Sequence, residues 1–457
     1  MSLSSTLPSL SFENAGTLSL DAGVAVLGQV FLKGEVPAGG GLVALVNGVP
    51  AVVQLDVKTR YEDGSVKMAV LSVERPALAP GQSVAVELQA APAPAAAAIN
   101  LAQALAGHSF VADLALVGGP TYHVDVLAEL AKALDAGTAS FWQQGELSSQ
   151  ARVEVMLAGS QRLVFDVTAF KGGGFAVDAQ FNNDRAMEAV GGPVSYNLAV
   201  RMDGHQVMNE SVTQAQYQNV QRSFASNNRD GGQGLGDASQ GWLNIRQDID
   251  HLQATGAVAN YDLTMQVDPG VLAGYGSAIA GASWGDVLSN NGVTQYMPMT
   301  GGRADIGPTT QSNAAWLISQ DVRAAEYALG QAQAAGAVPW NMWNAQAGTW
   351  LNDNAYPDLW LDGRGGTGRP GDSTSWGLTQ QVPGSTGWTP DTAHQPDLSY
   401  VSYVLTGQRW ILDNLQAQAA WNVLITWPGY GKRGETNDIV VQGEQVRSEA
   451  WALRQLQ

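Results

Sequence analysis

The chain has 457 residues, only 14% of them charged, with 41 acidic against 23 basic side chains and a net charge of −18. So acidic a surface repels nucleic acid and anionic membrane, and neither is an expected partner. The absence of cysteine removes disulfides, thiolate zinc sites and cysteine nucleophiles together. The length suits about two to four domains, each with its own core. No apolar run approaches ~18 residues, so membrane insertion is not expected. Residues 1–20 carry neither a basic start nor an apolar stretch, which predicts no signal peptide and a cytoplasmic or virion-associated protein acting at a cell surface.

Residues 1–89 read as a small β-barrel domain. Strands are predicted at Val24–Leu32, Leu42–Val46, Ala51–Val57, Val66–Glu74 and Ser83–Leu88, separated by Pro37-Ala38-Gly39, Asn47-Gly48, Asp63-Gly64 and Pro80-Gly81. Asn-Gly and Asp-Gly supply the positive φ that tight hairpins need. The Ala/Pro run at 90–98 is a linker by composition. Residues 99–241 read as a β-sandwich-like domain, with strands at Val153–Leu157, Leu163–Ala169, Ala176–Phe181 and Tyr196–Met202, the turn Asp203-Gly204, and a return along His205–Val212. A helix is predicted within it at Val124–Ala136.

From 242 to 457 the periodicity turns helical. Leu243–Gln253, Asn313–Ala335, Asp397–Thr406, Arg409–Trp427 and Gly443–Leu456 carry apolar residues at helical spacing. Gly407 divides two of these into a helix hairpin. Trp316, Trp410, Trp421 and Trp451 fall on apolar helix faces and are expected in the core. Long loops at 255–312 and 340–396 separate the helices, and loops of that length in a compact domain are usually functional.

The second of these loops holds six of the 14 tryptophans: Trp340, Trp343, Trp350, Trp360, Trp376 and Trp388. Their surroundings are Gly, Asp, Asn and Pro rather than Leu, Ile and Val. Indoles beside carboxylates, amides and guanidiniums suit a sugar: the rings cover pyranose faces, and the planar polar groups take hydroxyls. Asp362 and Arg364 lie in the same loop as polar partners for that groove. The alternative is that each indole plugs a gap between loop and helix.

Tyr61-Glu62-Asp63-Gly64-Ser65-Val66-Lys67-Met68-Ala69 resembles the W-x-D-G-S-x-[KR]-W-A signature of the N-terminal barrel in exo-rhamnogalacturonan-lyase-like proteins, with Tyr61 and Met68 at the tryptophan positions. Tyr296–Asp321, containing Gly302-Arg303-Ala304-Asp305-Ile306-Gly307-Pro308, and the run Asp391–Gly407 resemble the α/α-toroid of the same group of bacterial and phage proteins. The resemblance implies a small barrel and a toroid-like helical domain on either side of the β-sandwich. It also implies binding, and lyase-type cleavage by β-elimination, of a polysaccharide or cell-surface glycan. A toroid needs about six helix pairs; the helices counted here are fewer, so the expectation includes an incomplete ring that a homo- or hetero-oligomeric partner completes.

β-Elimination needs a base and a group to neutralise the uronate. His394, just before Pro396 and three residues after Asp391, could serve with Tyr400 as base, and Arg303 or Arg364 could grip the carboxylate through a bidentate fork. The other reading has Asp391 and His394 capping the following helix and Arg303 paired with Asp305 to fix its loop. Asp358, Asp362, Asp372 and Asp391 are the carboxylates from which a hydrolase would draw its acid and base. The scattered histidines predict no zinc site. No cofactor is expected, and oxygens of Asn227–Asp237 are where a loop-bound calcium would sit. The rival to an enzyme is a phage tail or baseplate component, or a host-surface adhesin, that keeps the same fold without catalysis.

Overall fold

The computed structural model describes residues 7–93, 96–187, 191–299, 302–352, 355–356, 360–361, 367–368, 386–425 and 446–456. It is a mixed β and α structure with antiparallel sheets throughout its strand-rich part. The first sheet contains β1 (Ser9–Asn14), β2 (Gly23–Val30), β3 (Gly40–Val46), β4 (Val49–Arg60), β5 (Val66–Arg75) and β6 (Ser83–Pro92). A seventh strand, which we number β16 for its place in the chain (Leu243–Arg246), pairs with β1. The order β16-β1-β6-β3-β4-β5-β2 curls into a nearly closed barrel. Phe12, Leu27, Phe31, Leu71, Leu243 and Ile245 fill it.

Two expectations change here. Leu243–Arg246 is strand, not helix, and only Ile249–Ala254 (α3) continues helically; both apolar residues of the strand face the barrel core. The first sheet also runs through Ala90–Pro92, into the segment whose composition reads as linker. The predicted turns hold. Asn47 and Gly48 have φ of 49° and 77°, as the two-residue hairpin between β3 and β4 requires. In the Tyr61–Ala69 signature, Asp63 Oδ1 accepts from the Ser65 amide at 3.0 Å and hydroxyl at 2.6 Å. Tyr61 donates to the Phe31 carbonyl at 2.8 Å, so the signature is a self-bonded turn tied across the barrel.

The second region follows α1 (Leu101–Ala104) and contains β7 (Phe110–Leu116), β8 (Thr121–Asp125), α2 (Val126–Asp135), β9 (Ser140–Gln144), β10 (Ser148–Met156), β11 (Gln161–Phe170), β12 (Phe175–Asn183), β13 (Val194–Met202), β14 (His205–Gln214) and β15 (Asn219–Ala225). Sheets ordered β15-β12-β11-β10-β9 and β14-β13-β7-β8 face each other across one core that holds Phe110, Phe165, Val177, Phe181, Tyr196 and Leu198. Alternation along β10–β12 turns every second side chain away from that core. These outward residues include Gln150, Arg152, Asp166, Thr168, Asp178, Gln180 and Asn182.

That polar face is covered by helices. After α4 (Pro269–Ile279) come α5 (Gln311–Ser319), α6 (Val322–Ala337), α7 (Tyr400–Thr406), α8 (Arg409–Leu424) and α9 (Val446–Leu456). The predicted helix Asn313–Ala335 is two helices, because Gln320 takes a left-handed φ of 53° and Asp321 caps the next helix by accepting from the Arg323 amide. Gly407, at φ 68°, ends α7 as expected. Helix α8 docks on the sheet through an ionic seam. Arg152 grips Asp166 at 2.8 and 2.6 Å and, with its other edge, Asp413 of α8 at 3.1 and 2.7 Å. Gln180 donates to Asp413 at 2.8 Å.

Helix α7 meets the barrel at Gly28. A Cβ there would lie 2.3 Å from the Val404 carbonyl oxygen. Gly28→Ala is therefore expected to cost about 1–3 kcal/mol by overpacking, read as a lowered urea midpoint with an unchanged slope. Among the described residues no helix is long and apolar enough to cross a membrane.

Candidate functional site

Barrel, sandwich and helices meet around a cleft of about 270 Å³. Val26 and Val70 enter it from the barrel, Trp142 and Gln143 from β9, and Gln150, Thr168, Asp178 and Ser223 from the covered face of the sheet. The loop Asp230–Gly236 and the α7–α8 turn Thr406–Gln408 close its sides. The glycine-rich loop lies on β2: Gly231 exchanges backbone hydrogen bonds with Val24 and Val26, both at 2.9 Å. This packs it as a third wall, with no helix opening after it that could hold a phosphate.

The register of the sheet explains what the cleft presents. Arg152, Asp166, Asp178 and Ser223 stand directly opposite one another on β10, β11, β12 and β15. Arg152 grips Asp166, whereas among the described residues Asp178 receives only the Ser223 hydroxyl, at 2.5 Å. Burial pushes the Asp178 carboxyl up to about 7, and the charge of Asp166 adds to the effect against the opposing pull of Ser223 and Arg152. A carboxyl that keeps its proton near neutrality can donate to a ligand oxygen. One rung away, Gln150 donates to the Thr168 hydroxyl at 2.7 Å, while its Oε1 is buried without a partner. An orphaned acceptor in a cleft wall costs free energy that a ligand hydroxyl would recover.

Trp142 contributes the aromatic surface. Its Nε1 donates to the Gly407 carbonyl at 2.9 Å, and Lys58 Nζ stands 3.9 Å from its ring centroid while bonding its carbonyl oxygen. Burial lowers the Lys58 ammonium to about 8. The indole is held at both ends and stays only partly covered.

The tryptophans that the sequence pointed to lie elsewhere. Trp340 and Trp388 are 0% exposed and Trp350 8%, so the open aromatic groove does not exist at these positions. Trp340 packs on Trp421 at 5.5 Å. Trp343 and Trp350 form an edge-to-face pair across a short hairpin, and Arg162 stacks 4.0 Å over Trp343. These indoles are plugs that seat the 340–351 loop on the end of β12, where Trp343 exchanges backbone bonds with Asp184 and Ala186, both at 2.8 Å. Trp360 is described by its backbone alone. Asp358, Asp362, Arg364, Asp372 and Trp376 lie outside the described residues. Trp316, Trp410 and Trp421 are buried as expected.

His394, Asp391 and Arg303 are brought together, in contacts that fix backbone. His394 Nδ1 lies 3.3 Å from Asp391, and its Nε2 accepts from Arg447 of α9 at 2.7 Å. Arg303 pairs with Asp305 at 2.7 Å and donates to the carbonyls of Met297 at 2.8 Å and His394 at 2.6 Å. Its fork is filled, which leaves no edge for a uronate. Tyr400 donates to the Ala257 carbonyl at 2.8 Å, and burial raises its phenol, which removes it as a ready base. It lines a separate cavity of about 570 Å³ with Asp397 and Arg454. For calcium, the Asp230 carboxylate is taken by the Val24 amide, Asn227 and Arg229, and that of Asp237 by Ser239. His108, His123 and His251 each bond a single carboxylate, and among the described residues no three histidine or carboxylate groups gather to hold a metal.

No protein-family model matches the chain, and no curated protein is similar to it.

Proposed function

We propose that this is a carbohydrate-binding protein, akin to the exo-rhamnogalacturonan-lyase-like group, that takes a glycan in the junction cleft. The observation that carries the reading is the buried, unpartnered Gln150 Oε1 in a cleft wall that also offers Asp178 and the indole of Trp142. Hydroxyls of a pyranose both donate and accept, and its ring face is apolar, so these groups match a sugar more closely than a flat aromatic or an anion. On this reading α5 to α8 are helix pairs of a toroid-like domain, and the tryptophan-rich loop is its packing rather than its binding surface. Where a glycosidic bond is cleaved, Asp178 is the residue able to protonate the leaving oxygen.

The test is a glycan array of bacterial surface and pectic saccharides probed with the wild type, Trp142→Ala and Gln150→Leu, with parallel measurement of reducing ends and unsaturated uronate absorbance. Binding that both substitutions weaken about tenfold or more supports the reading. Release of product that Asp178→Asn abolishes adds catalysis. Binding without release assigns the cleft to an adhesin, as on a phage tail or baseplate. Binding unaffected by either substitution refutes the cleft, and a chain that binds no glycan is left with a scaffolding role.

A further inference from the structure

We infer that the junction cleft is built for an uncharged sugar and rejects a uronate, an inference that rests on the glycan-binding reading above. The argument is one of charge. Among the described residues, each cation that approaches the cleft is already held by a protein acceptor. Arg152 uses both edges of its guanidinium on Asp166 and Asp413. Arg409 donates to the Ser140 carbonyl at 3.0 Å and hydroxyl at 2.8 Å and lies 3.6 Å from Asp166. Arg229 pairs with Asp230 at 2.7 Å. Lys58 is turned into the Trp142 carbonyl. In the glycine-rich wall the amides of Gly231 and Gly234 are bonded to Val24 and Leu243.

Among the groups that remain to meet a ligand are the Gln150 Oε1 acceptor, the Asp178 carboxyl, and the part of the Trp142 ring that Lys58 leaves uncovered. A hydroxyl satisfies both polar groups: it donates to Gln150, and it accepts from Asp178 or donates to it according to that group's protonation. A carboxylate does neither for Gln150 and repels Asp178 once that group is ionised. Carboxylate recognition in proteins relies on a guanidinium or ammonium free to pair, and an ion desolvated without one is disfavoured strongly. Recognition of a neutral glycosyl unit at this cleft also separates it from β-elimination, whose substrate must present a uronate.

The experiment is saturation-transfer NMR with titration, on the intact chain at pH 5.5 and 8.5. Methyl glycosides of glucose, galactose, mannose, rhamnose and N-acetylglucosamine are compared with those of glucuronic and galacturonic acid. At least one neutral glycoside is expected to bind about tenfold or more tightly than the uronate of matching configuration. The gap should widen at pH 8.5 more in the wild type than in Asp178→Asn, whose amide stays neutral; the widening common to both reports Lys58, which loses its proton near pH 8. Trp142→Phe should weaken the neutral ligand in both conditions. A uronate that binds as tightly as its neutral counterpart, with the same dependence on Trp142, overturns the charge inference and leaves the glycan reading standing. If no saccharide gives a Trp142-dependent signal, both fall.

Discussion

Arg152→Met is expected to destabilise the folded chain by about 3–5 kcal/mol, the range for removing one partner from a buried charge cluster. The side chain is 8% exposed and carries two carboxylates at once, Asp166 at 0% and Asp413 at 14% exposure. Burial works against the Asp413 carboxylate; Arg152 and Gln180 outweigh it and hold the carboxyl below its ordinary value. Without the guanidinium, Asp413 keeps the Gln180 amide, and Asp166 keeps Arg409 at 3.6 Å. The seam between sheet and α8 is where the loss falls. Urea titration read by tryptophan fluorescence and by far-ultraviolet dichroism should show the helical signal lost at lower denaturant than in the wild type. The triple replacement of Arg152, Asp166 and Asp413 by apolar residues of similar size should recover most of the loss, since no ion is then left unpaired. Equal destabilisation by the single and triple variants contradicts this account.

The second large effect depends on pH and has the opposite chemistry. Glu326 lies on α6 beneath the glycine-rich wall, where a Cβ on Gly234 would stand 2.0 Å from its Oε1. That oxygen is buried without a partner, and burial lifts the carboxyl from an ordinary 4.5 to about 7. A folded-state value above the unfolded one means stability is fully present below about 4.5 and lost as pH rises to about 7, at about 1.4 kcal/mol for each unit. The loss amounts to roughly 3 kcal/mol and is constant above that window. Glu326→Gln keeps the shape and removes the proton. It is expected to match the wild type at pH 4 and to exceed it in unfolding free energy at pH 8.5 by roughly that amount. Asp178 contributes with the same sign, so Glu326→Gln combined with Asp178→Asn should flatten the profile further. A variant less stable than the wild type at pH 8.5 would mean that Glu326 gains a partner when ionised.

Turns and hairpins were legible because their chemistry is local. Asn47-Gly48 and Asp203-Gly204 adopt the positive φ pairs that their side chains favour, and Gly407 ends its helix for the same reason. The apolar periodicity of α5 and α8 likewise located Trp316, Trp410 and Trp421 in the core. What covers a surface was not legible. Alternation along β10–β12 reads as one face in the core and one in water, yet α6 and α8 lie on the second face. A trace of this was present: the outward positions are mostly Gln, Arg, Asp, Thr and Asn, with Val164 among them, and there is no lysine among Gln150–Asn182 except Lys171 at a turn. Amides and arginines can be satisfied under cover, whereas lysine seeks water. The tryptophan-rich loop misled for the converse reason. Gly, Asp and Pro mark irregular backbone, and irregular backbone can fold down over helices as easily as stand around a groove. Trp142 and Asp178 sit in strands with nothing in their neighbours to mark them, and only the pairing of five strands with a loop and a helix turn gathers the cleft.

A crystal structure of the intact chain with its tightest-binding glycoside addresses the cleft most directly. The sugar should lie against Trp142 with one hydroxyl within hydrogen-bond distance of Gln150 Oε1 and another on Asp178. Ordered sugar in the cavity beside Tyr400, or on the outer surface with only water at Gln150, would contradict the assignment.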